Sequence, residues 1–138
     1  MTAAERTAAA ATTGLTAPAE TPVAEAMSSE ILAVAAGASL ADVARTMARN
    51  GVHGVAVEGE QWGFVSDLDL VAAAAGDPAE LPQRAVTVPA DATLVQAGRL
   101  MGQHDVSHLL VTDSHGRPVG VVSALDVARH IAFGRPER

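Results

Sequence analysis

Residues 63–70 read GFVSDLDL, and residues 120–127 read GVVSALDV. Both run glycine, two apolar residues, serine, two residues, aspartate and a further apolar residue. Each reads locally as a strand turning into a helix. Serine is a favoured N-cap, and an acid three positions later completes a capping box. An acid in the first turn also suits the helix dipole. Ser66–Asp69 and Ser123–Asp126 therefore suit a helix start whatever else they do.

Working outward shows that the two stretches close one unit written twice. A shift of 54 lays Val34 on Val88, Ser39 on Thr93, Leu40 on Leu94, Met47 on Met101, Val52 on Val106 and Val57 on Val111. After a three-residue difference in one turn, a shift of 57 lays Gly63 on Gly120, Ser66 on Ser123 and Asp69 on Asp126. One indel in a loop, with register kept on both sides, is the pattern of a structural duplication.

Each copy has the same layout. A short apolar run (Ile31 to Val34; Ala85 to Val88) reads as a buried strand. Ser39 or Thr93 offers an N-cap, followed by helical spacing through Leu40, Val43, Ala44 and Met47, or Leu94, Ala97, Gly98 and Met101. The first helix ends at Asn50-Gly51 and the second near His104-Asp105. Two strands follow in each copy, Val55 to Val57 with Gly63 to Val65, and Leu109 to Val111 with Val119 to Val122. The turns between them, EGEQ and TDSHGRP, are rich in turn formers. An Ala-rich helix closes each unit.

The expected fold class is α/β, two tandem β-α-β-β-α repeats packed with pseudo-twofold symmetry. Residues 1–20 form an Ala/Thr-rich flexible tail, 21–77 the first repeat, 78–134 the second, and 135–138 a short tail. A half of about 55 residues buries too little surface to be comfortably stable alone. Packing the halves sheet against sheet leaves symmetry-related clefts where the copies meet.

Composition narrows the function. Of the 138 residues 49% are hydrophobic, with two Phe, one Trp and no Tyr, so the core is aliphatic. The formal charge of -7 disfavours nonspecific nucleic-acid binding and docking on an anionic membrane surface. No cysteine is present, which excludes disulfides and thiolate chemistry and fits a reducing cytoplasm. No stretch reads as a transmembrane span.

The layout, with G-x-x-S-x-x-D closing each unit, resembles a tandem pair of CBS (cystathionine β-synthase) domains, a Bateman module. The resemblance covers about Thr21 to Phe133 and is strongest over DVSHLLVTDSHGRPVGVVSALDVARHI, Asp105 to Ile131. It implies a stand-alone regulatory protein, not an enzyme. Such a module senses an adenosine-containing ligand: AMP, ADP, ATP, S-adenosylmethionine or NAD. No cofactor is required. On the family's pattern Asp69 and Asp126 accept hydrogen bonds from ribose hydroxyls, while Ser66 and Ser123 reach ribose or phosphate. The adenine lies in an apolar slot for which Ile31, Leu32, Val55, Ala85, Val86 and Leu109 are candidates. The resemblance also implies a homodimer, with the Ala-rich helices (Leu68 to Ala75; Leu125 to Ala132) as contact surfaces, and an unknown protein target.

The chemistry of the residues is compatible with that role. A carboxylate is an acceptor-only group suited to vicinal hydroxyls. The start of each closing helix offers N–H groups for a phosphate. Arg117, His108, His53 and Arg84 are the phosphate candidates among the side chains. Asp67, where the second copy has Ala124, places a second carboxylate beside Ser66. A phosphorylated ligand is therefore expected to prefer the cleft of Ser123 and Asp126. The alternative is a ligand-free interaction or scaffolding module whose S-x-x-D runs are helix caps only.

Other motifs point to little chemistry. His104 and His108 share an i, i+4 spacing but straddle a loop-to-strand junction and lack the glutamate of a zinc helix, so no metal site is expected. Asp113, Ser114 and His115 are neighbours in one turn without a nucleophile elbow. Trp62 is expected to pack against the other repeat.

Overall fold

The structure, a computed structural model, describes residues 20–76 and 81–134. The tail expected over residues 1–20 lies outside the described residues except for Glu20. So do the tail over 135–138 and the repeat boundary at 77/78.

In chain order the elements are α1 (Val23–Ala26), β1 (Ala33–Val34), α2 (Leu40–Asn50), β2 (Gly54–Val57), β3 (Gly63–Ser66), α3 (Asp67–Ala74), β4 (Gln83–Arg84), β5 (Thr87–Pro89), α4 (Leu94–His104), β6 (His108–Thr112), β7 (Pro118–Ser123) and α5 (Ala124–Phe133). Two sheets result, β1-β2-β3-β4 and β5-β6-β7. In each repeat the first strand pairs parallel with the second, which pairs antiparallel with the third. The expected α/β two-repeat fold is thus present, with α1 and the edge strand β4 added. The first strands are shorter than expected, because only Ala33–Val34 and Thr87–Pro89 are laddered.

The helices form where their caps dictate. Ser39 with Asp42 and Thr93 with Gln96 make reciprocal capping boxes at the starts of α2 and α4. Gly51 and Asp105, both left-handed at φ 62° and 53°, end them. Spacing of three and four then buries Val43 and Met47 in the first repeat, and Leu94, Ala97 and Met101 in the second.

Each repeat has its own core. Val43, Met47, Val55, Val57 and Val65 form the first. The second contains Val88, Leu94, Ala97, Met101, Leu109, Val111 and Val122, joined by Val23 from the other end of the chain. Val23 is fully buried there. Its N–H donates to Ala92 O at 2.7 Å, and Ala24 N–H to Ala90 O at 3.0 Å. Ser28 exchanges two backbone hydrogen bonds with Val121, each 2.9 Å. Residues 21–28 therefore strap the second repeat, and they explain why Leu94 is 1% exposed while its equivalent Leu40 is 39% exposed. Gly120 permits this contact. A Cβ there would lie 2.6 Å from both Met27 Sδ and Ser28 O.

Candidate functional site

The two S-x-x-D runs have nearly identical geometry. Asp69 Oδ2 accepts the Ser66 N–H at 2.8 Å, and Ser66 Oγ accepts the Asp69 N–H at 3.2 Å. In the second repeat the distances are 2.8 Å and 3.1 Å. Each box uses one carboxylate oxygen for the cap. Asp69 Oδ1 has no hydrogen-bond partner among the described residues, and Asp126 Oδ1 stands 4.0 Å from Arg129 Nη1. Cap and ligand acceptor are thus compatible roles of one side chain: the cap fixes the carboxylate in place and leaves an oxygen for a hydroxyl.

These carboxylates open onto two clefts built by exchange between the repeats. The larger, about 420 Å³, takes Phe64, Ser66 and Asp69 from the first repeat and Arg84, Val86 and Ser107 among others from the second. The smaller, about 220 Å³, takes Val121, Ser123 and Asp126 from the second repeat and Glu30, Leu32 and His53 from the first. Shifts of 54 and 57 interconvert these sets position by position, so the clefts are related by the pseudo-twofold. We name them the Asp69 and Asp126 clefts.

The adenine-slot candidates divide. Ala85 and Val86 line the Asp69 cleft, and Leu32 lines the Asp126 cleft. Ile31 is on neither wall. Val55 and Leu109 are fully buried in the two repeat cores, which corrects their expected place. The reason is the two-residue period of a strand: their neighbours Gly54 and His108 face the Asp126 cleft, so Val55 and Leu109 face the cores.

The phosphate candidates divide as well. Arg84 is on the Asp69 cleft, His53 is on the Asp126 cleft, and His108 is on both. Arg117 is on neither; it lies in the β6–β7 turn, where Asp113 Oδ1 accepts the N–H groups of His115 and Arg117 at 2.9 Å each. These two donors, with Arg117 first, hold Asp113 below the usual carboxylate range, so the Asp113–Ser114–His115 stretch is a closed turn. Arg129 of the Asp126 cleft was not foreseen; its i, i+3 spacing from Asp126 on one helix face was the available signal.

Asp67 does not burden the Asp69 cleft by pointing into it. Its Oδ2 lies 2.9 Å from His53 Nδ1, and that hydrogen bond is the main reason its carboxyl is held below the ordinary value. Asp67 acts on the cleft differently. Its Oδ1 takes the Leu68 N–H at 2.8 Å, its own N–H donates to His53 O at 2.8 Å, and Ser66 Oγ takes the Asp69 N–H. The first three N–H groups of α3 are all occupied, contrary to the expectation of a free helix start. In α5 the Ala124 N–H donates to Ser107 O at 2.8 Å, and Asp126 N–H is capped. The intervening Leu125 N–H has no partner among the described residues.

Trp62 is half-buried and lines a concavity walled by Val43 and Val57 of the first repeat and by Leu81 and Pro82 of the second. Its carbonyl accepts the Ala85 N–H at 2.9 Å. His104 ends α4 and His108 begins β6, and no group of three or more potential metal ligands assembles among the described residues.

Two repeats that exchange wall elements to enclose a pair of pseudo-symmetric, aspartate-bearing clefts define a tandem α/β module. The CBS domain family profile matches residues 23–76 and again 79–133, and the chain belongs to the CBS domain family as a tandem pair. Solved structures agree in fold. A CBS domain pair in complex with 5′-methylthioadenosine and S-adenosyl-L-methionine has a TM-score of 0.70, with 19% identity over 79% of this chain and 98% of that one. The CBS domain of a bacterial CNNM/CorC family Mg2+ transporter has a TM-score of 0.67, with 20% identity over 100% of this chain and 99% of that one. A stretch of 47 residues, 34% of this chain, is 28% identical to L-aspartate semialdehyde sulfurtransferase of Methanocaldococcus jannaschii. That match spans only 9% of the sulfurtransferase. No helix among the described residues is long and apolar enough to cross a membrane.

Proposed function

We propose that the chain is a regulatory module, without chemistry of its own, that senses an adenosine-containing ligand in its inter-repeat clefts and works in the cytoplasm on a protein target. One observation carries this reading. Each cleft sets a capped aspartate with a spare oxygen opposite an apolar strand start of the other repeat. A ribose hydroxyl fits the first and a base fits the second. A solved CBS pair with two adenosine-containing ligands supports the same class. AMP, ADP, ATP, S-adenosylmethionine and NAD remain the candidates. A phosphate is favoured in the Asp126 cleft, where the Leu125 N–H and Arg129 are at hand.

The module is further proposed to form a homodimer through α3 and α5. Leu68 and Val71 of α3 are 69% and 66% exposed, and Phe133 of α5 is 83% exposed. Apolar side chains on two helices of small residues suit an isologous helix-to-helix interface.

A second reading, a ligand-free interaction module, draws on the caps, which are complete without any ligand. Calorimetry with the five candidates on wild type and Asp126→Asn separates the two. Asparagine keeps an oxygen for the Ser123 N–H but presents an amide donor where the ribose needs an acceptor. Binding weakened at least about ten-fold, a 1.4 kcal/mol change, with the melting temperature held, supports the sensor. No binding by any candidate, or binding indifferent to the substitution, leaves the scaffold.

A further inference from the structure

His108 is common to the walls of both clefts. It begins β6 opposite Ser123 of the Asp126 cleft. Its ring also lies 5.0 Å from that of Phe64, tilted by 31°, and Phe64 is on the Asp69 cleft. The first repeat has Gly54 at the equivalent position. A Cβ at Gly54 would collide with the Phe64 ring and come 3.2 Å from His108 Cδ2, so no second side chain fits there. One imidazole therefore serves two sites.

The charges around it are predominantly negative. Asp67 and Asp69 face it from α3, Asp126 from α5, and His53 from the segment before β2. Arg84 and Asp105 share the Asp69 wall with it, and Glu30 and Arg129 share the Asp126 wall. Nδ1 is 2.9 Å from Ser107 Oγ, and Nε2 has no hydrogen-bond partner among the described residues. Burial outweighs the carboxylates and holds its pKa below the ordinary imidazole value, so the ring is mostly neutral near neutral pH. An anion arriving in either cleft shifts that balance toward the imidazolium.

We propose that His108 is a shared proton-binding group through which an anionic ligand in one cleft strengthens the binding of a second anion in the other. The proposal rests on the nucleotide reading of the clefts. The proton taken up with the first ligand offsets repulsion between the two anions, and thermodynamic linkage makes the effect reciprocal.

The test is calorimetric titration with AMP near neutral pH in buffers of differing ionisation enthalpy, with adenosine as the uncharged probe. Wild type is expected to bind two AMP per chain, the second about five-fold tighter than in His108→Gln, with fractional proton uptake. His108→Gln and His108→Arg, the latter a fixed cation, are both expected to lose the uptake, and adenosine to show none. Should the glutamine variant misfold, the arginine variant decides. Uptake that survives in both variants, that disappears in His53→Gln instead, or that accompanies adenosine equally overturns the proposal. So does binding of one AMP, or of two independent ones. If neither AMP nor adenosine binds, the coupling is overturned, while the sensor reading is decided separately by calorimetry with ADP, ATP, S-adenosylmethionine and NAD.

Discussion

His53 Nδ1 and Asp67 Oδ2 stand 2.9 Å apart, an exposed pair that joins the loop before β2 to the first turn of α3. His53 belongs to the wall of one cleft, while Asp67 opens the helix whose aspartate serves the other. Asp67 has its pKa lowered, chiefly by that hydrogen bond, so its contribution is present above the unfolded value of 3.8 and is lost as pH falls through the lower folded value. With its side chain 47% exposed, Asp67→Asn is expected to cost less than about 1 kcal/mol at neutral pH. Urea denaturation at neutral and acid pH checks this; a loss of several kcal/mol would contradict the exposed-pair account.

Removing Asp67 has a second expected effect. Asp67→Ala matches Ala124 of the second repeat and frees the Leu68 N–H. Phosphate-bearing ligands should then bind the Asp69 cleft several-fold more tightly, in line with about 1 kcal/mol for a charge at a helix start. Calorimetry with AMP and adenosine on Asp67→Ala, compared with wild type, reads the difference. Equal gains for both ligands would mean the N–H group is not involved.

His108 supplies a pH dependence of the same sign in a higher pH window. Its folded pKa is lowered from 6.5, so the unfolded chain binds the proton first as the pH falls. Stability from this residue is therefore full above about pH 6.5 and declines as pH drops through the folded value. The loss of the urea midpoint between about pH 7 and about pH 5 is expected to be smaller in His108→Gln than in wild type. An identical loss in both proteins would show that the ring titrates alike in folded and unfolded chains.

The strap gives a stability prediction. Val23→Ala removes buried methyl groups from the second core and should cost about 1–3 kcal/mol. Gly120→Ala should cost at least as much, since the new methyl meets a backbone carbonyl that cannot turn aside. Chemical denaturation measures both. A neutral Val23→Ala would mean that the strap does not pack in solution.

The helix faces make the dimer testable. Val71→Asp places a charge on the exposed apolar face of α3 without disturbing a core side chain. Sedimentation is expected to show a dimer for wild type and a monomer for this variant. A wild-type monomer at all concentrations would refute the interface.

What was legible in the sequence was what local chemistry determines. Ser66–Asp69 and Ser123–Asp126 are caps because three residues suffice to make one, and the shifts of 54 and 57 carried the rest of each repeat with them. The ends of α2 and α4 at Gly51 and Asp105 followed for the same reason. Val55 and Leu109 were misplaced by one residue, and one residue in a strand is the whole distance between core and cleft. β4 carries Gln83 and Arg84, which show no apolar alternation to announce a strand. Val23 reads as one more residue of an Ala-rich stretch, because the side chains that bury it lie at 88 and beyond. The double duty of His108 depends on how two repeats meet, which no single repeat encodes.

The strap also orders events during synthesis. Val23 leaves the ribosome early, yet the pocket that buries it is not complete until Val122 has followed. Thr21 likewise waits for His130, 109 residues later, to form a 3.2 Å hydrogen bond. The segment around Val23 must therefore remain uncommitted until the second repeat has been made.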